Sequence, residues 1–146
     1  MKEVKIYTDG ACRGNPGPGG YGAVLQYGSH EKEISGSKDY ATNNQMELMA
    51  AIVGLKILKE SCNVQIYSDS KYLTDSFNKG WIYNWQRQNW MHGNGERANA
   101  DLFKELLTLV EKHKVTFHWV KGHSGHPLNE RCDKIANKAI DLLLAS

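Results

Sequence analysis

The sequence predicts a mixed α/β domain, a five-stranded sheet with helices on its faces, and three observations predict it. Residues 3–9, 21–28 and 31–37 are rich in β-forming side chains, two of these runs alternating with polar ones, and are separated by glycine-bearing turns. Residues 43–60, 99–113 and 127–144 carry apolar side chains at helical spacing. Between those helices stand two short β-rich runs, 64–69 and 115–120. Three meander strands, then alternating helix and strand, give a mixed sheet covered by helices.

The first strand, EVKIYTD, ends at a carboxylate, Asp9. It runs into GACRGNPGPGGYG, residues 10–22, which holds six of the 14 glycines and two of the three prolines. Within it, Gly17-Pro-Gly-Gly-Tyr-Gly22 fits the pattern GxGxxG, and Asp39 follows about twenty residues later. A dinucleotide loop needs a helix opening at its end, because the helix N-terminus holds the pyrophosphate. YGAVLQYG, residues 21–28, reads as a strand instead, and Pro16 and Pro18 remove amide donors from the loop. The glycines are therefore read as turn residues between strands. That leaves Asp9 at the end of a central strand beside an open loop. After a turn at 28–30, EKEISGS forms the third strand.

Thr42-x-x-Gln45 has the form of a capping box and opens the helix over 43–60. Leu48, Met49, Ile52, Val53, Leu55, Ile57 and Leu58 make it apolar on nearly every side, as a central buried helix is. VQIYSD, 64–69, is a buried strand ending at a second aspartate, Asp69. Residues 70–78 and 81–89 read as two short helices parted by Lys79-Gly80. The helix over 99–113 places Leu102, Leu106, Leu109 and Val110 on one stripe, and VTFHWV, 115–120, is the fifth strand. After the loop KGHSGH, Pro127 opens a last helix whose stripe is Leu128, Cys132, Ile135, Ala136, Ala139 and Leu143.

The 146 residues predict one domain, 1–146, long enough to bury a sizeable core. A hydrophobic content of 40% and a charged content of 23% are those of an ordinary soluble globule, and a net charge of +2 is too small to announce a polyanion partner. Cys12, Cys62 and Cys132 are odd in number and lack metal-ligand spacing, which points to reduced thiols in the cytoplasm. The N-terminus shows no signal peptide, and no apolar run is long enough to span a membrane.

With the first and fourth strands as parallel neighbours, Asp9 and Asp69 point into one crevice at the strands' C-terminal ends, where open α/β sheets place their sites. Glu47 lies in line with Ala50, Ala51 and Gly54, a small-residue stripe that brings a helix close to a sheet and would carry Glu47 over the crevice. Equally, Glu47 reads as a first-turn acid complementing the helix dipole. Asp133 borders the stripe of the last helix and, taken alone, is a solvated acid. Carboxylates gathered within a few ångströms raise one another's pKa. Hard divalent cations remove that conflict, and oxygen-only ligands favour Mg2+ or Mn2+. Two such ions about 4 Å apart form a clamp for in-line phosphodiester cleavage.

YTDGACRGNPGPGGYGAVL, TNNQMELMAAIVGL, IYSDSKYL and WVKGHSGHPLNERCDKIAN together resemble the successive signature blocks of type 1 ribonuclease H, from residue 3 to about 142. The resemblance implies a ribonuclease H fold with strand order 3-2-1-4-5. It also implies a Mg2+-dependent endonuclease that cuts the RNA strand of RNA–DNA hybrids, leaving 5′-phosphate and 3′-hydroxyl ends, with two ions when substrate is bound. The family's metal-binding catalytic acids match Asp9, Glu47, Asp69 and Asp133. Its histidine that helps activate water or release product matches His123, otherwise an ordinary loop histidine. Asn15 and Thr42 match positions that hold a DNA-strand phosphate. Asn43 and Asn44 match minor-groove contacts, and the backbone at Gly10–Cys12 joins them as a candidate to read 2′-hydroxyls. Lys71 stands where close relatives carry a glutamine that touches RNA; a lysine there offers a phosphate contact instead.

WIYNWQRQNW holds three of the four tryptophans. Trp81 and Trp85 are one helical turn apart, a packing signal, while Trp81 also matches a contact of the family's DNA-gripping handle. Well-known bacterial members carry a run of lysines there. Residues 81–100 offer only Arg87 and Arg97 against Glu96, which predicts a weaker grip. Nothing in the chain signals an oligomer interface, so a monomer is expected. The rival readings are a same-fold nuclease acting on DNA, a non-catalytic hybrid-binding module, and a dinucleotide oxidoreductase.

Overall fold

A computed structural model describes residues 1–122 and 125–146. Strands β1 (Lys2–Cys12), β2 (Gly17–Tyr27) and β3 (His30–Ala41) form an antiparallel meander. Helix α1 (Asn43–Lys56) leads to β4 (Cys62–Ser68), which is parallel to β1. Short helices α2 (Lys71–Asn78) and α3 (Trp81–Arg87) follow, then a small hairpin, β5 (Met91–His92) and β6 (Gly95–Glu96). Helix α4 (Ala100–Glu111), strand β7 (Lys114–Trp119) and helix α5 (Pro127–Ala145) complete the chain. The five-stranded sheet runs β3-β2-β1-β4-β7, the expected order with β7 as its fifth member.

Strand alternation divides the core between the two faces. Ile6, Ala23 and Ile66 join Leu48, Ile52, Leu55, Leu73, Phe103 and Leu106 under α1, α2 and α4. Tyr7 and Val24 pack with Cys132 of α5 on the opposite face. Fully burying Leu48, Ile52 or Leu55 contributes about 1.5–3 kcal/mol each. The capping box at Thr42 is present in both halves: its hydroxyl accepts the Gln45 N–H, and its own N–H reaches the Gln45 side chain.

The glycine stretch departs from its reading as turns. Gly17, Gly19, Gly20 and Gly22 lie inside β2, which starts four residues earlier than expected, and no helix opens after them. Their value is closeness of approach. A Cβ on Gly20 would stand 2.3 Å from the Ala136 carbonyl oxygen, and one on Gly22 2.7 Å from that of Cys132, so both glycines seat α5. A Cβ on Gly19 would meet Met46 of α1 on the other face. Strand β1 likewise continues to Cys12 against β2, so Asp9 sits within a strand and beyond the end of only its β4 pairing.

Other boundaries moved too, β3 running on to Ala41 rather than ending at 37. Helix α1 ends at Lys56 rather than near 60, capped by Ile57. Helix α3 stops at Arg87 because Asn89 and Trp90 take positive φ, turning the chain into the β5–β6 hairpin, which the sequence reading lacked. Among the described residues no helix is long and apolar enough to cross a membrane.

Candidate metal centre at the sheet edge

Pairing between β1 and β4 fixes the first two acids. The register sets Ile6 beside Ile66 and Tyr7 beside Tyr67. Two residues further along each strand direction stand Asp9 and Asp69, so equal spacing delivers both carboxylates to one edge. Glu47 arrives from α1, five residues into the helix. Gly10 makes this possible: a Cβ there would lie 2.5 Å from the Glu47 nitrogen, so the bare backbone lets the first turns of α1 settle on β1. Gly54 repeats the device against Ile6, where a Cβ would lie 2.9 Å from its side chain. The small-residue stripe therefore serves as expected, and Glu47 points inward.

One oxygen from each of Asp9, Glu47 and Asp69 lies within 4.8 Å of the other two. Asp133, on α5, lines the same recess as Asp9 and Asp69 but stands outside that trio. Its side chain is within hydrogen-bond reach of Asp9 and also accepts the Asn137 side-chain N–H at 3.2 Å. Asp9 is 7% exposed, and its Oδ1 accepts the Gly10 N–H at 2.9 Å. Burial, then the charges of Asp69 and Asp133, push its pKa up to about 8. Burial also raises Glu47 well above the usual carboxylate range, with Asp9 and Asp69 adding repulsion. Among the described residues Glu47 Oε1 is buried with no hydrogen-bond partner.

These features fit a hard divalent cation. The donors are all oxygens, one is buried with nothing to bind, and their like charges oppose one another. A bound cation would satisfy the orphaned oxygen and reverse the repulsion. The backbone beside Asp69 is also tight, since a Cβ on Gly122 would come within 2.8 Å of Asp69 Oδ2. His123 lies outside the described residues, so its expected place at this site has no structural account.

The recess has further walls that the sequence reading did not single out: Lys121, His126, Asn129 and Glu130. The Asn129 side-chain amide donates to the Tyr67 carbonyl at 3.3 Å and to that of Thr8 at 3.5 Å, tying the ends of β4 and β1 together. Its position three residues from Cys132 in α5 was readable, but its partners are main-chain atoms 62 and 121 residues away. No local signal reports that.

The expected substrate residues fall into separate groups. Cys12, Asn15, Thr42 and Asn43 meet at the start of α1. The Cys12 thiol donates to the Gly14 and Ala41 carbonyls, and Asn15 Oδ1 accepts the Asn43 N–H at 3.0 Å. Asn43 and Asn44 are exposed there, on the helix that carries Glu47. Trp81 is 40% exposed and tilts against Trp85 at 6.5 Å between ring centroids. Trp85 in turn packs edge-on against Phe103, so it belongs to the core while Trp81 does not. Lys71 is exposed, with its ammonium 4.5 Å from the centre of the Trp119 ring.

Comparison with known proteins agrees with this architecture. The family model described as RNase H matches residues 1–141. The ribonuclease H of Desulforamulus reducens is 56% identical over 137 residues, 93% of this chain and 86% of its own length. That of Erythrobacter litoralis is 52% identical over 143 residues, covering 97% of this chain and 99% of the relative. The crystal structure of LC9-RNase H1, described as a type 1 RNase H with the type 2 active-site motif, superposes with a TM-score of 0.88. Its identity is 28%, over 97% of this chain and 73% of that one.

Proposed function

The chain belongs to the ribonuclease H family, and we propose that it hydrolyses the RNA strand of RNA–DNA hybrids as a metal-dependent endonuclease. The observation that carries this reading is the trio Asp9, Glu47 and Asp69, with oxygens within 4.8 Å of one another at the edge where β1 and β4 end their pairing.

Asp9, Glu47 and Asp69 are the residues that hold the metal, with Asp133 supplying a further oxygen from across the recess. The ion is Mg2+, with Mn2+ a substitute, and two ions bind when the hybrid is present; the oxygen-only donor set supports the first point and the separate stance of Asp133 the second. A divalent ion in this setting neutralises charge on the scissile phosphate and makes water a competent nucleophile. The chain supplies the rest. Burial of Asp9 and Glu47 keeps bulk water from screening the centre. Gly10 and Gly54 hold Glu47 against β1, and Asn129 holds the ends of β1 and β4 in register. His123 is assigned proton transfer on the family resemblance alone.

The exposed amides of Asn43 and Asn44, the backbone at Gly10–Cys12, and Asn15 with Thr42 are the groups that meet the hybrid. Strand choice rests on 2′-hydroxyls and groove shape, because phosphate contacts carry no base information. The protein works as a single domain and a monomer in the cytoplasm. The test is cleavage of end-labelled hybrid, duplex RNA and duplex DNA with Mg2+ and with EDTA. Hybrid alone should be cut, at the RNA strand and only with metal; cutting of duplex DNA, or cutting in EDTA, would contradict the reading.

A further inference from the structure

Trp119 ends β7 and pairs in register with Ser68, the last residue of β4. Its indole N–H donates to the main-chain carbonyl of Asp69 at 3.0 Å, so the ring braces the segment that delivers this carboxylate. The ring itself remains 45% exposed, although a large apolar surface beside a buried core gains by being covered. What lies on it is the ammonium of Lys71, at 4.5 Å from the centroid.

Lys71 is oddly placed for a purely structural cation. It is the first residue of α2, where the positive end of the helix dipole favours an acid. No ion pair among the described residues includes it. Among the described residues an aromatic face holds it, an interaction worth about 0.5–1 kcal/mol when exposed. A cation two residues past Asp69 is thus held on the same ring that braces the main chain of that carboxylate.

Granting the hydrolase reading above, we propose that Trp119 is a positioning residue of the metal centre, and that Lys71, seated on its ring, binds an RNA-strand phosphate next to the scissile one. One side chain then joins the two tasks. Its indole N–H fixes Asp69 and its π face fixes the cation that registers the strand.

Two variants separate these tasks. Lys71→Gln removes the charge and leaves the indole bond. It should raise KM severalfold and flatten the dependence of log affinity on log salt by about 0.7–0.9, measured with the Asp9→Asn background and a labelled hybrid. Trp119→Phe keeps a ring under Lys71 and loses the N–H. It should weaken Mg2+ binding to the hybrid-free protein, followed by calorimetry, while the salt dependence of hybrid binding stays as in the parent. An unchanged salt slope in Lys71→Gln would remove the phosphate role, and unchanged Mg2+ affinity in a folded Trp119→Phe would remove the positioning role. Failure of the unaltered protein to cut hybrid would instead refute the hydrolase reading, and the two binding measurements would still decide on Lys71 and Trp119.

Discussion

At the carboxylate edge Asp9 is 7% exposed and its neighbours Glu47 and Asp69 crowd it, whereas along α3 and the β5–β6 hairpin Trp81, Tyr83 and Met91 are 40–44% exposed. The two regions are held by different forces. The edge is carried by the core of the sheet, with β1, β4 and α1 all packed in one cluster. The hairpin segment hangs on Trp85 and the buried Ile82 and Trp90, and is dressed by cations on rings: Lys79 over Trp81 at 5.4 Å and Arg97 over Trp85 at 4.6 Å. Burial lets the first region hold charges in opposition, which solvent would otherwise screen. Exposure leaves the second free of such opposition, its side chains in contact with solvent. On the proposed function, chemistry sits at the buried edge, and the exposed segment is left to meet the substrate.

The most severe way to break that contrast is at Asp9. Asp9→Asn should abolish hybrid cleavage while leaving the circular dichroism spectrum intact. It should also stabilise the metal-free protein. The folded pKa of about 8 stands above the ordinary aspartate value of 3.8, so the unfolded chain ionises first as pH rises. Wild-type stability is therefore lost between about pH 4 and pH 8, and the deficit is full above pH 8. In EDTA at pH 9 the variant should melt higher than wild type; at pH 4 the gap should close. An Asp9→Asn protein with near wild-type turnover in Mg2+ would remove the metal assignment.

His123→Ala is expected to slow turnover by about 10²–10⁴-fold at most, the range of a proton-transfer group, and to alter the pH profile. A rate unchanged from pH 5 to 9 would return His123 to an ordinary loop residue. Gly10→Ala tests the stiffness of the edge itself. The new methyl would meet backbone of α1 at 2.5 Å, so the helix must shift. Overpacking of this kind costs about 1–3 kcal/mol, visible in the melting temperature, and turnover should fall as Glu47 moves. Full stability with full activity would show that the close approach is not needed.

The smallest effect is expected in the exposed region. Gln86, Gln88 and Asn94 are all exposed, and lysines there should tighten hybrid binding without altering the melt. Three added phosphate contacts would steepen the salt dependence by up to about 2 to 3 in log–log slope. An unchanged slope would mean that this segment does not meet the nucleic-acid backbone.

The same contrast explains what the sequence disclosed. Asp9 and Asp69 were legible because each ends a short β-rich run, and parallel pairing brings equal positions together. Glu47 was legible through Ala50, Ala51 and Gly54, a stripe whose purpose is closeness. Asp133 had no such cue and came from the four-block resemblance alone. Gly17 to Gly22 misled, since glycines that clear space for α1 and α5 look the same in a sequence as glycines that turn a chain. Asn129 and Trp119 could not be found, because each acts on main-chain oxygens far away in sequence. The hairpin at 91–96 was missed although Gly93-Asn94-Gly95 is a turn signal, its strands being only two residues long.

The opposed carboxylates of Asp9 and Glu47 suit a divalent cation. With the pKa of Asp9 pushed up to about 8, binding near pH 7 must expel its proton. Calorimetric titration of the hybrid-free protein with Mg2+, at pH 7 in two buffers of different ionisation enthalpy, measures this directly. The observed enthalpy should depend on the buffer, reporting protons released, and Asp9→Asn should lose both the binding and the release. Binding with no proton release, or binding that survives Asp9→Asn unaltered, would contradict a metal centre at this edge.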